Sequence, residues 1–516
     1  MALYFRSFWF ILSGLLFLAC SKPITQTAAL SPEPALQPGT RYMEERTRIV
    51  LQDSARAMSS EIILSPDELR LNNKLIALRK AMLADYEEAN FFPPARNFYK
   101  SKKHIEATSL FKVIRKMPKG GVLHLHSGAA GEAKWMVKKV IEDPYGYVYW
   151  ESSGADYVKG QMRFFKPGME PEGFYKASHL NETVPNFEDS LGGLLVFNQK
   201  IAYDSVDIWE EFECRFQRLY GFVSYQPLYK KFFKASLQTL IDDGVQHVEL
   251  RGILGSLYHP DYPNGYYTAD SSIHYMKEVL AEIRQQVPDF SIKLVFTSLR
   301  FKSKAAIEQD LIEAFEMRRK YPDFVVGFDL VAREDDGHST LYFLDQWLKL
   351  DSLEKAYQID MPLYLHDGES DWKSVDNLYD AVLLNSRRIG HGFNLFKFPV
   401  LMDQVRKKDI CLEINPLSNQ ILGYVTDLRV HPGSYYLSQG IPFSISSDDP
   451  MIFDYTGLSY DFWSIFLAWE LDLRDLKKLV INSLQYSALS EEEKAVAFQF
   501  WEVKWNKFIK TALMEL

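Results

Sequence analysis

From residue 120 onward, short apolar runs alternate with stretches whose apolar positions recur at helical spacing. The runs are GGVLHLH (120–126), QHVELR (246–251), SIKLVFTS (291–298), FVVGFDLV (324–331), PLYLHDGE (362–369), RIGHG (388–392), ICLEINP (410–416) and PFSISSDD (442–449). They are too short for helices and too apolar for loops, so each predicts a buried strand. Eight such strands with helices between most of them predict an α/β protein, a closed parallel (β/α)8 barrel rather than an open sheet. Polar residues gather at the C-terminal end of each run: His126, Arg251, Asp329, His366, Glu369, His391, Glu413, Asp448 and Asp449. A barrel places its chemistry at that end.

Two segments fall outside the rhythm. Residues 42–117 are helical in pattern, as in PDELRLNNKLIALRKAMLADYEEA; Asp67 favours helix initiation and Pro93-Pro94 ends the following stretch. Between the first and second strands lies more chain than one crossover helix needs. Its part from about 131 to 200 carries DPYGYVYW and FFKPGMEPEGFY, and predicts an inserted subdomain near the barrel mouth. The barrel domain, insertion included, then spans 118–516.

The N-terminus changes the expected location. Arg6 precedes an apolar stretch from Phe8 to Ala19, too short to span a bilayer comfortably and shaped like a signal-peptide core. It ends in FLAC, which is similar to a bacterial lipobox and makes Cys20 the candidate acylated residue after a signal peptide of residues 1–20. Residues 21–41, rich in Pro, Ser, Thr and Ala, predict a flexible tether. The expectation is an exported envelope lipoprotein, touching the membrane through its lipid alone, with a secreted protein as the alternative.

Charge removes one class of partner. With 59 Lys plus Arg against 68 Asp plus Glu, the formal net charge is −9, and there is no dense basic run to hold a nucleic-acid backbone. Cys214 and Cys411 sit in apolar surroundings where buried free thiols are common.

His124 and His126 alternate on the first strand, so both imidazoles project to one side. His366 offers a third nitrogen from the fifth strand, and Asp448 a carboxylate from the eighth. Three imidazoles, a carboxylate and an open position for water suit one zinc ion per chain. Glu369, three residues past His366, is placed to hold and pass a proton, and His391 to steer the activated water. Asp449, beside Asp448, is left for a hydrogen bond to substrate. His431 and His247 read as structural, Trp209 and Phe212 as core, and Arg251 as half of a salt bridge at the barrel mouth.

The ordered set MPKGGVLHLH, HVELR, GFDLV, LHDGESDW, RIGHGF, CLEINPLSNQ and ISSDDP…GLSYDFW resembles the adenosine deaminase family, most closely its secreted, growth-factor-related branch. The resemblance covers roughly residues 45–516. It implies a metal-dependent hydrolase barrel that converts adenosine, or a close 6-aminopurine nucleoside such as 2′-deoxyadenosine, to inosine and ammonia. It implies His124, His126, His366 and Asp448 as zinc ligands, Glu369 as the proton donor to purine N1 and His391 as the orienting base. Asp449 would accept a hydrogen bond at N7, and the Ala332 amide would lie near N3. An N-terminal helical region that pairs two copies into a homodimer belongs to the same pattern. Ser127 stands where the branch has Asp, at a position that touches sugar or purine; Ala332 replaces Gly, and HDGES brings an extra carboxylate, Asp367. A catalytically silent nucleoside-binding or signalling protein on the same fold is the alternative.

Overall fold

The computed structural model describes residues 38–199, 201, 206–255, 257–262 and 267–516. The signal-peptide stretch, Cys20 and most of the expected tether lie outside them. The eight predicted runs form eight parallel strands: β1 Gly120–His126, β2 Val245–Gly252, β3 Ser291–Leu299, β4 Val325–Val331, β5 His366–Asp367, β6 Arg388–His391, β7 Cys411–Ile414 and β8 Phe443–Ile445.

Two four-stranded sheets, ordered β1-β2-β3-β4 and β8-β7-β6-β5, make up the barrel wall. Two single bridges join them, Phe328 with Leu363 after β4 and Leu125 with Asp448 between β1 and the end of β8. The second seam is reinforced by the His126 amide donating to the Asp448 carbonyl at 3.1 Å and the Asp448 amide to the His124 carbonyl at 3.2 Å. His124 and His126 therefore sit on one side of the closing seam and Asp448 on the other.

Because strand residues alternate faces, Glu249 and Arg251 share one side of β2 just as His124 and His126 share one side of β1. Val248 and Leu250 occupy the other side of β2 and are buried in the main apolar core. Each such side chain contributes roughly 1.5–3 kcal/mol. The charged side is buried as well, and every member is paired: Arg388 with Glu249 and Glu413, Arg251 with Glu413 and Asp329. Charges without water need such partners.

The chain divides into two compact units, residues 1–52 and 53–516. The first unit's described part is most of helix α1, Pro38–Arg56. Helix therefore begins at Pro38, inside the stretch 21–41 expected to be tether; a proline suits a first helical position because its fixed φ is already helical. Helices α2 Pro66–Glu88, α3 Phe98–Ala107 and α4 Ser109–Lys116 complete the N-terminal region. Ser65 caps α2 reciprocally with Glu68, and Asp67 lies in its first turn. The insertion is a three-stranded antiparallel sheet, with Gly146–Tyr149 between Met162–Phe164 and Phe174–Lys176, flanked by short helices. Cys214 is half-buried and Cys411 buried, both unpaired. Among the described residues no helix is long and apolar enough to cross a membrane.

Candidate active site

The strand ends bring His124, His126, His366 and Asp448 together, with one donor atom from each lying within 4.8 Å of all the others. Buried carboxylates behind the ring set the tautomers. Glu413 Oε2 lies 2.8 Å from His124 Nδ1, and Asp329 Oδ2 lies 2.6 Å from His366 Nδ1. With a proton on each Nδ1, both Nε2 atoms turn a lone pair toward the barrel axis. There His124 Nε2 and Asp448 Oδ1 lie 3.3 Å apart, both buried and both without a hydrogen-bond partner among the described residues. His126 Nε2 is also 3.3 Å from Asp448 Oδ1, and His366 Nε2 is 3.2 Å from His126 Nε2. Lone pairs converging on a carboxylate repel one another unless a cation stands between them. Three nitrogens and a carboxylate oxygen fit a small divalent metal of zinc's type.

Electrostatics agree with that reading. Burial depresses the His366 pKa to about 3, with His124 and His126 adding to the shift. Burial likewise lowers His126 and His391. These imidazoles are neutral, the state in which they bind metal. Burial works to raise Asp448, but the facing His124 and His126 rings and the nearby His391 hold it well below the ordinary carboxylate range.

Glu369 is the opposite case. Burial raises its pKa well above the usual value, and the charges of Asp448 and Glu334 raise it further, so it keeps its proton. Its Oε1 is 3.6 Å from His391 Nε2, which is 4.0 Å from Asp448 Oδ2. Asp449 is also raised, by burial and then by Asp448, and its Oδ1 is buried without a partner among the described residues.

Local backbone explains how these side chains reach the axis. His391 (φ 64°) and Asp448 (φ 61°) leave their strands through the left-handed region, which costs of order 1–3 kcal/mol each and is tolerated where the surroundings fix the residue. Gly390 passes so close to the ring that a Cβ there would meet His124 Cε1 at 3.1 Å and His366 Cα at 3.2 Å. Gly368 (φ 80°) makes the turn between His366 and Glu369.

Ser127 begins a short 3-10 turn directly after β1 and is half-buried. Ala332 follows β4 and lines a cleft of about 360 Å³ with Trp209, Phe301 and Arg333. Its φ is 88°, a conformation in which a methyl group is strained. Ala332→Gly relieves roughly 1–2 kcal/mol of that strain. It gives back roughly 0.5–1 kcal/mol as added freedom of the unfolded chain. A rise in the denaturant midpoint is expected, and a fall would reject the strain.

Several readings of single residues are met. Arg251 bridges Asp329 and Glu413; His247 packs against Ser291 and Glu249; His431 bonds Asn419 and the Gly433 amide. Trp209 and Phe212 are buried as expected, but Trp209 also faces the Ala332 cleft and donates its indole N–H to the Tyr424 hydroxyl at 2.9 Å. Asp367 points away from His366, accepting from Thr340 Oγ1 at 2.6 Å. Glu334 was not foreseen: its Oε1 accepts the Glu369 amide at 2.6 Å and its Oε2 the Asn377 side chain at 2.7 Å, so it holds the Glu369 loop. The available signal was position, since Glu334 stands three residues past β4 as Glu369 stands three past His366.

Residues 201–499 match a family profile described as adenosine deaminase, and residues 17–114 match one described as the adenosine/AMP deaminase N-terminal region. Adenosine deaminase 2 of Sus scrofa is 36% identical over 490 residues, covering 90% of this chain and 93% of its own length. Adenosine deaminase 2 of Dictyostelium discoideum is 35% identical over 478 residues, covering 91% of this chain and 87% of its own. Among solved structures, a Burkholderia ambifaria amidohydrolase with bound Zn superposes with TM-score 0.56 at 15% identity, over 81% of this chain and 99% of that one. The adenine deaminase of Arthrobacter aurescens superposes with TM-score 0.53 at 18% identity, over 76% of this chain and 99% of that one.

Proposed function

The chain belongs to the adenosine deaminase family, and on that premise we propose that its barrel-mouth site removes the 6-amino group of adenosine, or of a close 6-aminopurine nucleoside, leaving inosine and ammonia. The observation that carries the reading is one buried cluster with two kinds of carboxyl: Asp448 ionised among three imidazoles, and Glu369 protonated beside them.

His124, His126, His366 and Asp448 would hold zinc, which when bound supplies a water acidic enough to attack near neutral pH. His391 Nε2 lies 3.6 Å from Glu369 Oε1 and 4.0 Å from Asp448 Oδ2, a position from which it would orient the water that attacks purine C6. Glu369 carries the proton that N1 must receive as C6 becomes tetrahedral. Its loop is anchored by Glu334, so the proton is delivered from a fixed position. Asp449 works in the reverse sense to the acceptor expected from the sequence: with its pKa raised, it keeps a proton and donates to N7, which in adenosine offers a lone pair. The Ala332 amide and Ser127 bound the N3 and sugar sides.

Incubation with a panel of 6-aminopurine nucleosides, with ammonia measured, tests the function; tight binding without ammonia would favour a silent binding protein. Protein purified without added metal should contain one zinc per chain and lose activity to chelators. A stoichiometry near zero with chelator-resistant turnover would sink the metal assignment.

We also propose export, anchoring through acylated Cys20, and pairing of two copies through the N-terminal helices. The support is the FLAC sequence behind an apolar run and the helical region preceding the barrel. Cys20→Ser should shift the protein from the membrane to the soluble fraction or leave it unprocessed. Unchanged partition and mature mass would set the anchor aside, and a monomer by sedimentation would set the pairing aside.

A further inference from the structure

Counting hydrogens beside β8 reveals a proton that an ionised carboxylate could not supply. Tyr455 is buried, and its hydroxyl oxygen lies 3.2 Å from the Ser447 carbonyl and 3.0 Å from Asp461 Oδ2. A phenol carries one hydrogen. Drawn as a donor, Tyr455 would need two hydrogens for these two contacts. Both are satisfied with one phenol hydrogen when it goes to the carbonyl, which only accepts, and a protonated Asp461 supplies the other.

Two arms run from Asp461 to the same metal candidate. Its Oδ1 accepts the Leu417 amide at 3.1 Å, and the next residue, Ser418, donates its hydroxyl to Asp448 Oδ2 at 2.7 Å. Through Tyr455 it reaches the carbonyl of the peptide that joins Ser447 to Asp448, the residue held at φ 61°. The surroundings favour the neutral acid. Burial pushes the Asp461 carboxyl up to about 8 against the opposing pull of its hydrogen bonds, the Leu417 amide foremost, and Asp243 adds a like charge. Asp243 faces Lys119 at 3.6 Å and also receives the Leu458 and Ser459 amides. Burial, with the charge of Asp448 adding to it, raises Tyr455 well above its ordinary value and keeps its hydroxyl protonated.

We propose that Asp461, as a neutral acid, is a positioning residue for the metal site: it donates to Tyr455, Tyr455 donates to the Ser447 carbonyl, and the peptide preceding Asp448 is thereby fixed. If Asp461 ionises, its carboxylate captures the Tyr455 hydrogen and the Ser447 carbonyl is released. The metal candidate then loses one of its two links to Asp461. The inference rests on the reading of Asp448 as a metal ligand, and does not depend on which nucleoside is the substrate.

The test compares the zinc-loaded wild type with Asp461→Asn and Tyr455→Phe, measuring zinc affinity by chelator competition and ammonia release across the range from about pH 6.5 to 9.5. Asparagine can donate its amide to Tyr455 while its carbonyl accepts from Leu417, so it mimics the protonated acid without titrating. Supporting partners of metal ligands are worth about ten- to a hundredfold in affinity or activity. Wild-type zinc affinity is expected to fall about tenfold as pH rises through about 8, the value to which burial raises Asp461. Asp461→Asn should stay within about threefold of wild type at neutral pH and lack the alkaline fall, whereas Tyr455→Phe should be weaker by about tenfold throughout. An alkaline fall in Asp461→Asn matching the wild type, or a neutral-pH loss as large as that of Tyr455→Phe, would overturn this inference alone. A wild type that binds no zinc would overturn the metal reading with it.

Discussion

Glu369→Gln is expected to retain zinc and the native fold while losing at least about a hundredfold in turnover, the low end for general acid–base catalysis. The amide nearly matches the carboxylic acid in shape, and the Glu334 bond to the backbone amide of residue 369 does not involve the altered side chain. What changes is the transferable proton, which burial and the charges of Asp448 and Glu334 keep on the acid well above the ordinary carboxylate range. Steady-state ammonia release with metal analysis on the same sample checks it. His366→Ala provides the contrast, since it should lose metal and activity together. Normal turnover by Glu369→Gln would remove Glu369 from the role of acid.

The largest effect on stability is expected at Glu413, which touches no substrate. Its carboxylate accepts from His124 Nδ1 at 2.8 Å, from Arg388 Nε at 2.7 Å and from Arg251. Glu413→Ala leaves two buried guanidinium groups short of their counter-charge, and breaking a buried pair in this way costs about 3–5 kcal/mol. Chemical denaturation measures it, and a loss under about 1 kcal/mol would show that the arginines find other partners. Metal affinity should fall as well, because His124 loses the group that fixes its tautomer. A pH dependence follows with a definite sign. Burial would raise Glu413, but Arg251 and Arg388 hold it far below its ordinary value of 4.5. The stability it contributes is fully present above that ordinary value and is lost as pH falls toward the depressed one. Glu413→Gln should flatten the acid side of the stability profile.

The barrel and its metal candidates were legible in the sequence because both rest on local pattern. Alternation on β1 put His124 and His126 on one face, and even β5, only two residues long, was marked by the polar cluster after PLYL. What the sequence did not disclose lies between loops and helices, where neither period two nor period 3.6 operates. Glu334 supports Glu369 across 35 positions, Trp209 meets Tyr424 across 215, and Ser418 reaches Asp448 across 30. Such pairs leave no spacing signature in a single chain. The protonation of Asp449 was hidden for a related reason. A carboxyl's charge depends on burial and neighbours: Asp448 adjoins it in the sequence, but only the assembled barrel buries the pair and brings Glu369 near.

The seam between β1 and β8 gives the metal site a temporal character. The His124 amide bonds the Ser446 hydroxyl across 322 positions of chain, so half of the ligand ring is synthesised long before the other half exists. Closing so long a loop is entropically expensive and slow. During synthesis the two histidines of β1 wait without Asp448, and a chain truncated ahead of residue 448 retains three imidazoles and no fourth ligand. A metal ion bound across the junction would favour the closed ring by mass action, adding to the stability of the assembled barrel as free metal rises. Metal loading would then be coupled to closure of this seam, and a chain stripped of metal is expected to open first along it.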